Sequence, residues 1–144
     1  MIKIICVGKI KENYLKEGIN DYLKRINKYH KISIIELPDS NILAEATEIL
    51  KYIDSRDYLI ATCIEGNTLS SVELSEKIDR IFITNPCITF IIGGSEGLTD
   101  EIKNKSNYKL SFSKLTYPHG LFRLILLEQI YRSFKILNNE TYHK

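Results

Sequence analysis

Two of the three histidines, His119 and His143, are the side chains best suited to move a proton near neutral pH. His119 follows Pro118 at a loop-to-helix junction. It serves either a cleft or only local packing and a bond to a backbone carbonyl, and placement in a cleft decides between the two. His143 stands in the polar end Thr141-Tyr142-His143-Lys144, where packing does not call for a histidine; the plainer reading is a mobile terminus. Lys114 and Arg123 can meet phosphates or sit as solvated charges. Tyr117 and Tyr142 can stack on unpaired bases, and Tyr117 suits a core equally well. The remaining feature is backbone rather than side chain. Phe90-Ile91-Ile92-Gly93-Gly94-Ser95-Glu96-Gly97 is an apolar strand that stops at two glycines, with a third just beyond. Such a turn lets a ligand or another backbone come close, although a short glycine motif also serves as a plain strand-to-helix turn.

Several chemistries find no footing. The chain has no G-x-G-x-x-G after its first strand, no Walker loop and no G-x-S-x-G elbow. No His or Cys pair has metal-ligand spacing, so no metal is expected. Cys6, Cys63 and Cys87 are odd in number, far apart, and each in or beside an apolar run. They read as buried, reduced thiols. A formal net charge of +2 with no lysine- or arginine-rich tail or stripe leaves a nucleic-acid partner open without announcing it.

The elements that must position these residues follow from periodicity. Ile2 to Val7 is an apolar strand ending at Gly8, and Tyr14 to Ile26 has the spacing of an amphipathic helix. A second strand, Ile32 to Leu37, stops at Pro38. A second helix carries Ile42, Ala46, Ile49, Leu50 and Ile53 on one side. Tyr58 to Ile64 is a third strand, closed by Glu65-Gly66-Asn67. Ser70 and Glu73 form a capping box for a helix with Leu74, Ile78 and Ile81 inward. Thr89 to Ile92 is the central strand. Thr99 then caps a short helix to about Ser106, with Asp100 and Glu101 in its first turn. Tyr108 to Phe112 is a fifth strand, Ser113 to Gly120 a loop, and about Leu121 to Asn138 a last helix apolar over most of its circumference. Alternating strands and helices predict an α/β fold, a parallel sheet with helices on both faces, in one domain over 1–144. Such a sheet places its ligand at the carboxyl ends of its strands. The last helix must be covered on more than one side, one of them by a second subunit. With no apolar run of membrane length and no signal-peptide cleavage site, the expected location is the cytoplasm.

Four blocks together carry a family likeness: Phe90 to Gly97, Ser111 to His119, Arg123 with Leu127 to Arg132, and Tyr142-His143-Lys144. Ile4 to Gly8 and Ile64-Glu65-Gly66 add to it. The chain resembles the ribosomal RNA large subunit methyltransferase H family of small SPOUT-type enzymes over nearly its whole length. Between Pro38 and Asp57 it is shorter than many members.

The resemblance implies a C-terminal deep trefoil knot and a homodimer packed through the last helix. It implies S-adenosyl-L-methionine as methyl donor, and as acceptor ring nitrogen N3 of a pseudouridine in large-subunit ribosomal RNA. By position, the cofactor pocket uses Thr62, Gly94 and the loop Phe112, Ser113, Lys114, Leu115, Thr116 and Tyr117, with Thr62 contributing mainly backbone. The expected catalytic group is His143 as proton acceptor, Tyr142 placing the base, and Arg132 or Lys144 holding phosphate or developing negative charge. Tail residues suit this task because they can close over docked RNA, and either protomer can supply them. A chain this small and without an added RNA-binding domain is expected to take its specificity from the shape of the assembled ribosome. Three alternatives stand beside this: a transfer RNA target, a ribosome-associated binding protein without turnover, and a generic nucleotide-binding module.

Overall fold

The computed structural model describes residues 1–144. Five strands, β1 (Ile2–Val7), β2 (Ile32–Leu37), β3 (Asp57–Thr68), β4 (Cys87–Ile92) and β5 (Tyr108–Ser111), pair in the order β2-β1-β4-β3-β5, all parallel. β4 sits between β1 and β3, and all six of its residues are buried. That is why it reads as an unbroken apolar run rather than an alternating one.

Helices α1 (Asn13–Asn27), α3 (Ser71–Thr84) and α5 (His119–Leu137) share one face of the sheet, around Ile4, Phe90, Ile78 and Leu127. Helices α2 (Ile42–Leu50) and α4 (Asp100–Lys105) share the other, around Ile5, Ile91, Ile49 and Ile102. The expected capping box is present: the Ser70 hydroxyl accepts from the Glu73 amide at 3.1 Å, and the Glu73 carboxylate accepts from the Ser70 amide at 2.8 Å.

Several boundaries differ from expectation, with β4 beginning at Cys87 and β5 ending at Ser111 among them. β3 does not close at Glu65-Gly66-Asn67 but bulges and resumes to Thr68. α2 stops at Leu50, leaving Ile53 packed on the core from the following turn. α5 begins at His119, so His119 and Gly120 belong to its first turn. α5 also needs less outside cover than its composition suggests. It packs between α1 and α3, and its buried residues, among them Leu126, Leu127, Ile130, Tyr131 and Phe134, account for much of its apolar character. Leu121 remains exposed, and Phe122, Leu124 and Ile125 half-buried.

The connections explain where a crevice opens. β3 leads to α3 on one face, while β4 leads to α4 on the other. Adjacent parallel strands whose connections leave to opposite faces part at their carboxyl ends, which is where open α/β sheets hold ligands.

Candidate active site

A cleft of about 410 Å³ lies at that switch point, walled by three segments. One wall is the β3 bulge. Thr62 and Asn67 both pair with Leu110, so the residues between them swing out of the ladder. Gly66 makes this possible, because a Cβ there would lie 2.8 Å from the backbone of Lys109 and Leu110. The second wall is the turn after β4. It folds so tightly that a Cβ on Gly93 would lie 2.5 Å from the Gly97 carbonyl oxygen. The third wall is the loop after β5, ordered by its own hydroxyls. Ser111 Oγ donates to the Ser113 carbonyl at 3.0 Å, and Ser113 Oγ accepts from the Leu115 amide at 2.9 Å while lying 3.1 Å from Tyr117 Oη. Phe112 and Tyr117 pack on Phe122 of α5, with ring centroids 4.9 and 6.1 Å apart.

Seven of the eight residues expected at a cofactor, Thr62, Gly94, Phe112, Ser113, Leu115, Thr116 and Tyr117, line this cleft; Lys114 does not. Thr62 Oγ1 is spent on the Ile91 carbonyl at 2.8 Å, so Thr62 offers a ligand its backbone. His119 also lines the cleft, and its Nε2 lies 2.8 Å from where a Cβ on Gly8 would be. Sequence reasoning missed the bulge residues Cys63, Ile64 and Glu65 as cleft wall, together with Lys103 of α4. The glycine inside the β3 pattern was the available signal for the bulge. Nothing in the sequence joins Lys103 to Glu65, which it meets in an ion pair. The Lys103 hydrogen bond holds the Glu65 carboxyl below its usual range, so the pair is charged and mutually neutralised at the cleft edge.

The cleft is of a size that takes a nucleoside-sized ligand. Ile64 and Leu115 hold apolar side chains 50 % and 71 % exposed at its walls, and glycine-turn backbone lies between them. Exposed apolar walls beside glycine-turn backbone suit an adenine ring sandwiched by its faces and hydrogen-bonded at its edge.

The expected catalytic residues come together elsewhere. Arg132 donates from Nε to Glu128 at 2.9 Å and lies with its other end 3.0 Å from His143 Nδ1. Its guanidinium sits 4.8 Å from the Tyr142 ring centroid. Tyr142 packs edge-on to Tyr131, and its hydroxyl lies 3.5 Å from that of Tyr22. Burial, and then the Tyr22 contact, push the Tyr142 phenol up to about 12, so it stays protonated and serves to place groups rather than to take protons. Arginine has only donors to give, so His143 Nδ1 accepts and the imidazole proton sits on Nε2. None of Arg132, Tyr142 or His143 lines the cleft. From His119 to Arg132, α5 rises about 20 Å, so cleft and tail cluster occupy opposite ends of one helix. Nor is the tail loose, as its polarity suggested: it is folded back on α1 and α5.

Arg123 is no phosphate ligand. It is 1 % exposed, donating to the Glu36 carboxylate and, at 3.0 Å, to the Gly8 carbonyl. It ties the start of α5 to the ends of β1 and β2. No group of three or more His, Cys, Asp or Glu side chains is placed to hold a metal ion.

A parallel sheet with helices on both faces, a glycine-turn cleft and a C-terminal helix beside it agree with what known proteins show. The family described as "Predicted SPOUT methyltransferase" matches residues 1–143. The chain belongs to the SPOUT methyltransferases, enzymes that take a methyl group from S-adenosyl-L-methionine. It is 47 % identical over 157 residues to ribosomal RNA large subunit methyltransferase H of Clostridium botulinum (strain 657 / Type Ba4), covering 99 % of each chain. It is 45 % identical, with the same coverage, to the protein of that name from Enterococcus faecalis (strain ATCC 700802 / V583). Both alignments are longer than the chain itself, so these relatives carry additional residues. Among solved structures, a probable methylase family protein from Haemophilus influenzae Rd KW20 superposes with a TM-score of 0.60 at 16 % identity, over 99 % of this chain and 70 % of that one, a likeness of fold.

Proposed function

We propose that this chain is a single-domain enzyme over 1–144 that methylates ring nitrogen N3 of a pseudouridine in large-subunit ribosomal RNA, acting on the assembled ribosome in the cytoplasm. The observation that carries the reading is the cleft: seven residues matched by position to a cofactor pocket converge on one crevice at the carboxyl edge of the sheet. The names of the 45–47 % identical relatives support ribosomal RNA as the target. Family membership supports the C-terminal deep trefoil knot.

The bound S-adenosyl-L-methionine supplies an electrophilic methyl on a sulfonium. The chain's own part is to hold, orient and move a proton. Leu115, Ile64 and Phe112 offer the apolar walls, while the Gly94 turn and the Thr62 backbone offer hydrogen bonds. Lys114, outside the cleft and exposed, is left free for RNA phosphate. His143 takes the acceptor's N3 proton at Nδ1. In the free chain Arg132 occupies that nitrogen, so docking must first draw Arg132 away, and an RNA phosphate is the anion that does so. Tyr142, held by Tyr131 and Tyr22, places the base.

A single chain cannot bring this cluster to its own cleft. We infer a homodimer packed through the exposed strip of α5, in which each tail serves the partner's cleft. Leu121, Phe122, Leu124 and Ile125 are the apolar residues available for that contact.

The test is direct. Purified protein, radiolabelled S-adenosyl-L-methionine and, separately, assembled ribosomes, free large subunits or bulk transfer RNA from cells lacking the protein are mixed, and label is mapped. Label on one pseudouridine, mainly in assembled ribosomes, is expected. Label on transfer RNA overturns the target, and cofactor binding with no transfer anywhere overturns the enzyme reading.

A further inference from the structure

The tail after α5 is built rather than trailing, and the residue that builds it is Glu140. α5 ends in a Schellman turn. Asn139 takes φ 55°, the Asn139 amide donates to the Ile136 carbonyl at 3.1 Å, and the Glu140 amide donates to the Lys135 carbonyl at 2.9 Å. Asparagine enters the left-handed region more readily than other side-chain-bearing residues, so Asn139 suits the reversal. The turn directs the chain back over the helix.

The Glu140 carboxylate then uses both oxygens. Tyr29 Oη donates to Oε1 at 2.8 Å, and Lys135 Nζ donates to Oε2 at 3.0 Å. These donors come from the segment after α1 and from α5, so the carboxylate clasps two parts of the chain far apart in sequence. Neither donor is free to wander. The Tyr29 ring stacks on Phe134 with planes 1° apart and centroids 5.8 Å apart. The Lys135 ammonium lies 5.6 Å from the centre of the Tyr29 ring and 5.5 Å from that of Tyr131. Two residues beyond the clasp, Tyr142 meets Tyr131 and Tyr22, and His143 meets Arg132.

We propose that Glu140 is a positioning residue: its clasp with Tyr29 and Lys135 sets the tail as a rigid arm, so that Tyr142 and His143 reach the reaction preset. This rests on the reading that the tail carries the catalytic group. The physical case is entropic. A free end must be ordered at every turnover, whereas a clasped one has lost that freedom on folding. Glu140 touches neither cofactor pocket nor acceptor, so its removal acts on transfer and spares cofactor binding.

The test pairs the heteronuclear 15N–1H NOE over 139–144, which reads backbone motion directly, with steady-state transfer, in the full-length parent and in Glu140→Ala, Glu140→Gln and Tyr29→Phe. Glu140→Ala should show lowered NOE values at Tyr142, His143 and Lys144 and bind S-adenosyl-L-methionine within about twofold of the parent. Its kcat should fall on the order of 100-fold, the scale of a small misplacement at a reacting centre. Glu140→Gln keeps the shape and an acceptor, and Tyr29→Phe keeps the ring and the Lys135 bond, so both should fall between. Unchanged NOE values in Glu140→Ala overturn the proposal, as do lowered values with unchanged kcat. If the parent itself methylates no RNA, the activity reading fails on its own. The NOE then still decides the clasp: lowered in Glu140→Ala supports it, and unchanged overturns it.

Discussion

The two ends of α5 differ in kind. At the His119 end, the cleft is made mostly of backbone and apolar surface, and every wall comes from one chain. At the Arg132 end sit a guanidinium, a phenol and an imidazole in mutual contact, none of them lining the cleft. One end has a cleft with a single imidazole, His119, at its wall; the other gathers the proposed proton acceptor, His143, outside that cleft. Some 20 Å of helix keeps them apart in the same chain. Two copies arranged about α5 resolve this, because a two-fold axis exchanges ends. In the proposed dimer, division of labour between chains would follow from helix length and not from any single residue.

Variants that strike one end and spare the other test this contrast, and the largest effect should come from the tail. His143→Ala is expected to lower kcat by roughly 10²- to 10⁴-fold, the usual worth of a positioned proton acceptor. Its affinity for S-adenosyl-L-methionine, read by calorimetry, should match the parent. Leu115→Asp should do the reverse. It puts a charge on an exposed cleft wall, so folding is kept and cofactor affinity falls at least about tenfold, the cost of about 1.4 kcal/mol.

Arg123 tests whether the cleft end is braced. Arg123→Leu leaves the Gly8 carbonyl and Glu36 without their donor, and breaking a buried pair costs about 3–5 kcal/mol. Glu36 is 40 % exposed and partly rehydrates, so denaturant unfolding should give about 3 kcal/mol, the low end of that range.

His30 gives a smaller effect, with a defined sign. Its ring stacks on Phe82 at 4.2 Å and faces Phe134 at 6.0 Å, and its buried Nδ1 has no partner. Burial first, and the nearby N-terminal ammonium second, hold its pKa below the ordinary 6.5, while a backbone bond to Lys31 opposes them. Folding therefore disfavours the imidazolium. The stability this group contributes is complete above the unfolded value near 6.5 and is lost as pH falls through that value toward the lower folded one. Thermal unfolding between pH 7.5 and 5 should show His30→Gln declining less steeply than the parent. Smallest of all, Lys103→Met removes a partly exposed pair from the cleft edge and should change stability by less than about 1 kcal/mol.

Much of this was legible in the sequence, for physical reasons. β1 and β2 are bounded as their apolar runs are, because a glycine or a proline stops each one. The α3 cap followed from Ser70 and Glu73 at fixed spacing. Two walls of the cleft were legible because each is contiguous: Ser113 bonds its own loop, and Gly93 meets Gly97 four residues on. What was not legible depends on partners far away in sequence. Arg123 is buried against Glu36 and Gly8, Lys103 is joined to Glu65, and Glu140 is clasped by Tyr29. A polar tail looks mobile when two of its partners, Tyr22 and Tyr29, lie over a hundred residues upstream. The β3 bulge was missed because Gly66 reads as a stop until β5 is seen beside it.

The most direct measurement is complementation in mixed dimers. Assayed at a cofactor concentration well below the Kd of Leu115→Asp, that variant, with a spoiled cleft, and His143→Ala, with a spoiled tail, each transfer methyl groups poorly. Unfolded and refolded together in equal amounts, half of the dimers contain one of each, and every such dimer pairs one intact cleft with the partner's intact tail. Recovery to about a quarter of parent activity is expected if tails serve the opposite cleft. No recovery above the separate variants, with mixed dimers shown to form, would contradict the exchange of ends across α5 and place cleft and tail cluster in one chain's service.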